Sequence, residues 1–140
     1  MSKNNTDYHN PVMLQECLDG LNIRPDGIYV DVTFGGGGHS RAIFNQLSSK
    51  GILVAFDQDV EAKDNVWETK NFHFIESNFY FLRNQLKLRG ITKVDGILAD
   101  LGVSSHQFDK GDRGFSIRSN TPLDMRMNQD EEVSAKTIIN

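Results

Sequence analysis

The fold is decided by one stretch, Tyr29-Val30-Asp31-Val32-Thr33-Phe34-Gly35-Gly36-Gly37-Gly38-His39-Ser40. Its start reads as a buried strand ending in an acidic residue. Consecutive glycines follow, and a helix opens near Ser40 with Arg41-Ala42-Ile43-Phe44. Glycine lacks Cβ, so its backbone approaches a ligand closely and takes positive φ at little cost. A strand, a glycine turn and a helix N-terminus together make a small-molecule site at the carboxyl edge of an α/β sheet.

Working outward, Ser48-Ser49-Lys50-Gly51 closes that helix with a glycine cap. Ile52-Leu53-Val54-Ala55-Phe56 is then a continuous apolar run, as expected of a strand buried on both faces of a parallel sheet. It ends in Asp57-Gln58-Asp59. A polar helix is expected from Glu61 to Glu68, a third strand from Phe72 to Glu76, and a helix from an Asn78 cap to Gly90 with Phe79, Leu82 and Leu86 on its apolar face. The fourth strand, Val94 to Asp100, again finishes in aspartate. Upstream, Asn10-Pro11 supplies a cap and a first-turn proline for a helix to about Leu21, with Cys17 as a buried thiol. Pro25-Asp26-Gly27 turns the chain into the first strand, Ile28 to Thr33. From Leu101 to Met127 no long periodic element is visible, and a loop of that length is functional or disordered. A last helix begins at about Glu131.

Strands alternating with helices predict an α/β fold with a doubly wound, mostly parallel, Rossmann-like sheet of about four strands. The fourth strand would lie at a sheet edge although it is apolar enough for the interior. Such an edge is a liability, so the chain is expected to be the front part of a longer protein.

With 140 residues there is room for one ordinary core and no more. Apolar content of 38% and charged content of 24% place it in the soluble globular class. A net charge of -4 gives no general support for nucleic-acid binding, yet leaves room for a local basic patch. The single cysteine excludes an intrachain disulfide and a cysteine-based metal cluster. His9, His39, His73 and His106 show no ligand spacing, so no metal is expected. The N-terminus lacks the apolar core of a signal peptide and no run reaches membrane-spanning length, which predicts a cytoplasmic protein without membrane contact.

Two ligand classes fit the glycine site. In both, Asp57 accepts hydrogen bonds from ribose hydroxyls, at roughly the 20-residue interval seen in dinucleotide sites. A nicotinamide dinucleotide brings a pyrophosphate, which favours helix N–H groups and no nearby carboxylate. Here Asp31, Asp57, Asp59 and Asp100 gather at strand ends, and their charge would repel it. S-adenosylmethionine brings an ammonium and a sulfonium, which an acidic edge favours. His39 either orders the turn or touches the ligand. No Lys-Ser or Lys-Thr pair follows the glycines, so a phosphate-binding P-loop is the weaker match.

At this point longer motifs enter. His9-Asn10-Pro11-Val12-Met13-Leu14-Gln15-Glu16, the segment from Gly27 to Ser40, Asp95-Gly96-Ile97-Leu98-Ala99-Asp100-Leu101-Gly102-Val103-Ser104-Ser105, Arg113-Gly114-Phe115-Ser116 and Pro122-Leu123-Asp124-Met125-Arg126-Met127 resemble the ribosomal RNA small subunit methyltransferase H family. The resemblance spans nearly the whole chain and implies a bacterial, adenosylmethionine-dependent enzyme that methylates the exocyclic N4 of a cytosine in 16S ribosomal RNA of the small subunit. It implies that Gly37, Gly38, His39, Asp57, Phe79, Asp100 and Gln107 hold the cofactor, with Phe79 against adenine. It also implies that residues 1–140 are the N-terminal part of the methyltransferase domain, lacking the substrate-recognition insertion and the remaining strands. The sequence departs from the family at His106, where a proline is usual.

Methyl transfer to an exocyclic amine needs the cytosine out of its stack, its N4 aimed at the methyl carbon, and an acceptor for the amino protons. Asp100 is the candidate catalytic residue, orienting the amine while also touching cofactor, with Ser104 or Ser105 bonding the base or merely shaping the turn. Arg113, Arg118 and Arg126 are candidates for neutralising RNA phosphates. The rival readings are a nicotinamide-dependent oxidoreductase and a cofactor-binding fragment without activity. This chain alone is expected to be inactive.

Overall fold

The computed structural model describes residues 11–139. The elements, in order, are α1 (Leu14–Leu21), β1 (Ile28–Asp31), α2 (Gly38–Phe44), β2 (Ile52–Asp57), β3 (Phe72–Glu76), α3 (Leu82–Leu88), β4 (Gly96–Leu98), α4 (Ser105–Asp109) and α5 (Ala135–Ile139), with short 3-10 turns at Val60–Asn65, Phe79–Phe81 and Gly111–Arg113. The four strands form one parallel sheet in the order β3-β2-β1-β4.

Alternation along the strands divides the core between two faces. Tyr29, Leu53, Ala55 and Phe72 meet Phe34 and Ile43 on one side, where residues of α1 and α2 pack. Val30, Val54, Phe56 and Ile75 meet Leu86 of α3 and Val32 on the other. Leu53, Val54, Ala55 and Phe56 are all fully buried, which explains why β2 reads as an unbroken apolar run. Each such Leu, Val or Phe stabilises the fold by about 1.5–3 kcal/mol relative to exposure. Aromatic rings reinforce the first face: Trp67 stacks on Phe72 with centroids 4.0 Å apart, and Phe34 lies 5.1 Å from Phe74.

Successive strands run outward from β1 to β2 to β3, then the chain crosses to β4 on the other flank of β1. That reversal opens a crevice at the carboxyl ends of β1 and β4, the ordinary ligand position in such sheets. The chain after β1 spans it: Val32 N donates to Leu98 O and Phe34 N to Phe56 O, each at 3.0 Å.

Several expected boundaries move. The first helix starts at Leu14 because Met13 adopts a left-handed conformation, φ 51, which residues 11–13 use as a turn; the expected Asn10 cap lies outside the described residues. Cys17 is only partly buried. The expected helix from Glu61 to Glu68 is a 3-10 turn capped by Asp59, and the chain then straightens as Trp67 reaches Phe72. The fourth strand is confined to Gly96–Leu98 and occupies the predicted edge. The long loop contains α4 and a 3-10 turn. Among the described residues, no helix is long and apolar enough to cross a membrane.

Candidate functional site

The site is assembled from the carboxyl ends of the strands. At the end of β1, Asp31 is completely buried. Its Oδ1 accepts from Thr33 N at 3.0 Å and Thr33 Oγ1 at 3.3 Å, and its Oδ2 accepts from Ser40 Oγ at 2.7 Å. Burial pushes its pKa up, against the Ser40 and Thr33 hydrogen bonds. This corrects one step of the charge argument: both oxygens are engaged inside the protein, so Asp31 braces the strand end against the first turn of α2. The acidic character of the edge rests on Asp57 and Asp100.

The glycines differ in what they do. Gly35 and Gly37 have φ 50 and φ 79, values an ordinary side chain resists. Gly35 N donates to Asp57 Oδ2 at 2.7 Å, and Gly37 N closes a turn on Phe34 O at 2.8 Å. A Cβ on Gly37 would press on the Phe34 ring and one on Gly38 would collide with Pro11, whereas one on Gly35 would meet nothing nearer than Thr33 O at 4.0 Å. The open side of the loop is therefore at Gly35, while Gly37 and Gly38 are tight for packing reasons. The N–H groups of Gly36, Gly38 and His39 have no hydrogen-bond partner among the described residues. His39 is buried, and its Nε2 donates to Val12 O at 3.0 Å. Of its two expected roles, the one visible here is ordering the turn.

Asp57 closes β2. Its Oδ1 accepts from Asp59 N at 2.9 Å in addition to the Gly35 bond on Oδ2. Burial raises its pKa, offset in part by those backbone donors. The group is only part-buried, and each oxygen has a second lone pair to offer. Phe79 begins the turn after β3 and is 46% exposed. Asn78 caps that turn, accepting from Tyr80 N, and its Nδ2 donates to Gln58 Oε1 at 3.0 Å, which fixes Phe79 relative to the residue after Asp57. Asp100 is exposed; its N–H donates to Thr33 Oγ1 at 2.8 Å, and its carboxylate has no hydrogen-bond partner among the described residues.

The segment after β4 is organised by a buried polar cluster that sequence reasoning missed. Arg113 is 1% exposed. Its guanidinium reaches Asp59 Oδ2 at 2.9 Å and Glu61 Oε2 at 3.1 Å, and donates to the carbonyls of Arg126 and Met127. Gln107 is buried beside it, with Nε2 donating to Asp59 Oδ2 at 2.7 Å and Oε1 accepting from Ser104 N. Gln107 thus supports the site through Asp59, two residues from Asp57. Burial works to raise the Asp59 pKa, but the Arg113 and Gln107 hydrogen bonds carry it below the ordinary carboxylate value. His106 lies 2.8 Å from Glu61 Oε2 and adds an anchor.

The expectation that Arg113 and Arg126 face RNA phosphates is overturned by these contacts. Arg113 is sealed between carboxylates, and Arg126 is bound to both oxygens of Asp124 and to the carbonyls of Gln129 and Glu131. Arg118 alone of the three is exposed without an ion pair among the described residues. No local pattern signals a pairing between Asp59 and Arg113 across 54 residues.

The model of the MraW methylase family matches residues 6–140, nearly the entire chain. The chain belongs to the MraW methylase family. Curated relatives of this MraW methylase chain include proteins named ribosomal RNA small subunit methyltransferase H. Those from Christiangramia forsetii and Porphyromonas gingivalis (strain ATCC 33277) are 56% and 61% identical over 96% and 95% of this chain, and 44% and 43% of their own length. The one from Bacteroides thetaiotaomicron is 53% identical over 100% of this chain and 46% of its own. The chain therefore spans less than half the length of the curated relatives it matches.

The residues present fit the cofactor expected of a methylase of this family. Unpaired N–H groups at Gly36, Gly38 and His39 suit a carboxylate. The spare acceptors of Asp57 suit a diol, the exposed Phe79 ring suits a flat heterocycle, and the unpaired Asp100 carboxylate suits a cation. Asp57 and Asp100 at the same edge do not suit a pyrophosphate.

Proposed function

We propose that this chain is the cofactor-holding part of an enzyme that methylates the exocyclic N4 of a cytosine in small-subunit (16S) ribosomal RNA. The names of the curated relatives support the substrate class. The observation that carries the cofactor reading is the bond between Gly35 N and Asp57 Oδ2, which joins the open glycine turn to the acidic end of β2 in one rigid unit. When bound, S-adenosylmethionine supplies an electrophilic methyl group. In this reading Asp57 takes the ribose hydroxyls, Phe79 the adenine, and the N–H groups at Gly36, Gly38 and His39 the amino-acid carboxylate. Gly37 holds the turn, and Gln107 stiffens Asp59 behind Asp57. Asp100 neutralises the cationic end and orients the incoming amine, accepting its hydrogen bond.

Calorimetric titration tests this directly. Adenosylmethionine should bind and a nicotinamide dinucleotide should not; Asp57→Asn should weaken binding by on the order of 30-fold, the scale of a lost charged hydrogen bond. Preference for the dinucleotide would refute the reading. A methylation assay with cytosine-containing ribosomal RNA completes the test, with cofactor binding but no turnover expected of this chain by itself.

A further inference from the structure

We propose that the outer flank of α3, carried by Tyr80, Arg83 and Lys87, is the surface on which an RNA strand lies when one of its bases reaches the cofactor edge. This rests on the reading above that the substrate is RNA. Between Ser77 and Val94 the chain holds Arg83, Lys87, Arg89 and Lys93 and no carboxylate, in a protein whose net charge is -4. All four are exposed, and among the described residues none of them makes an ion pair. The cations of the long loop are mostly spent, as Arg113 and Arg126 show. Arg83 and Lys87 of α3 are therefore free cations in a stretch without carboxylates.

The helix presents that charge in a usable way. Leu82 and Leu86 pack against the core, so Arg83 and Lys87 fall together on an outward flank, about 6 Å apart along the axis. Arg89 is held back on Gln85 O and Oε1, at 3.0 and 2.9 Å, and stands outside the flank. Tyr80 stands in the turn just before α3, three residues ahead of Arg83, and is 82% exposed, with Phe81 set edge-on to it at 5.1 Å. An aromatic ring so exposed beside two unpaired cations fits a strand that stacks a base and places successive phosphates. The flank also starts at the site: Asn78 accepts from Tyr80 N and donates to Gln58, the neighbour of Asp57.

The test is fluorescence anisotropy of a labelled, cytosine-containing single-stranded RNA against this chain over a series of salt concentrations. Arg83→Gln combined with Lys87→Gln should lower affinity roughly ten-fold and flatten the salt dependence by about 0.7 per cation removed. The exchange Arg83→Lys with Lys87→Arg should restore binding. Tyr80→Ala should lower affinity while leaving the salt slope unchanged, and Lys50→Gln, an exposed cation in the turn before β2, should alter neither. Wild-type RNA binding by the double glutamine variant overturns the proposal, as does an equal loss with Lys50→Gln. Poly-glutamate bound as tightly as the RNA and insensitive to Tyr80→Ala would make the flank a docking face for an acidic protein instead. Calorimetry with adenosylmethionine on the same variants keeps the two readings apart. Cofactor binding without the RNA shift sinks this surface alone, and the RNA shift without cofactor binding sinks the cofactor reading alone.

Discussion

The sheet and the segment that follows it are built on opposite principles. From Ile28 to Glu76 the structure is held by apolar burial spread over many side chains, with Val30, Leu53, Val54 and Phe56 all fully buried. From Ser104 to Met127 it is held by one polar cluster centred on Arg113, which gathers Asp59, Glu61 and two carbonyls, with Gln107 on Asp59 and His106 and Lys110 on Glu61. A loss in the shared core is felt by the whole sheet, whereas a loss at one polar cluster loosens only the segment that cluster holds. The site lies on the boundary, since Asp57 belongs to the sheet and Asp59 to the cluster.

The largest effect should come from the sheet. Phe34→Ala removes the ring that touches Trp67, Phe72 and Phe74. It should cost about 3–5 kcal/mol of global stability, read from denaturant unfolding. Arg113→Met should come next, at about 3 kcal/mol, because it removes the ion-pair partner of the buried Asp59 and leaves Glu61 to Lys110 and His106. Its effect should be local: amide exchange should quicken across residues 104–127 while β1 and β2 stay protected, and uniform loss of protection would erase the contrast drawn above.

A smaller change sharpens it further. Ser40→Ala leaves one oxygen of the buried Asp31 without its donor, and should cost about 1–2 kcal/mol in unfolding experiments. Acidification is the gentlest probe, and the two regions should answer it with opposite signs. Asp59 and Glu61 have pKa values lowered in the folded state, Asp59 by Arg113 and Gln107 against the pull of burial, Glu61 mainly by Lys110. Their contribution is present above the unfolded carboxylate values of about 4 and is lost as pH falls through their folded values. Burial raises Asp31 and Asp57, so their contribution is complete below those unfolded values and fades as pH rises through the folded ones. Below about pH 4 the pinned segment should therefore exchange faster while the strand ends do not, as pH-dependent hydrogen exchange would record.

The same contrast explains what was legible in the sequence. Apolar runs and strand-end aspartates are local signals, so the four strands, the edge position of the fourth and the glycine turn could be read directly. The roles of particular charges could not. Asp31 and Asp57 look alike at strand ends, but only the packing of Ser40 over Asp31 shows that its charge is used internally. Arg113 and Arg126 look like free cations on a polar loop, and only three-dimensional pairing removes them from the surface. The missing helix after Asp59 has a similar cause: the Trp67–Phe72 stack, a contact between elements, overrides a local preference. Asp100 and the glycines follow the ends of β4 and β1 because topology fixes those positions, whereas Phe79, read from spacing as part of a helix's apolar face, lies exposed in the 3-10 turn before α3.

Gly38 and Pro11 carry a consequence of a different kind. A Cβ at position 38 has nowhere to go while the proline ring lies over it, and Val12 beside that ring is tied to His39. Position 38 is thus locked by a residue far away in the chain and cannot gain a side chain while position 11 keeps its ring. In a library randomised at both sites, side chains at position 38 should be recovered only where position 11 has shed its ring, a covariation arising from volume with no contribution from the cofactor.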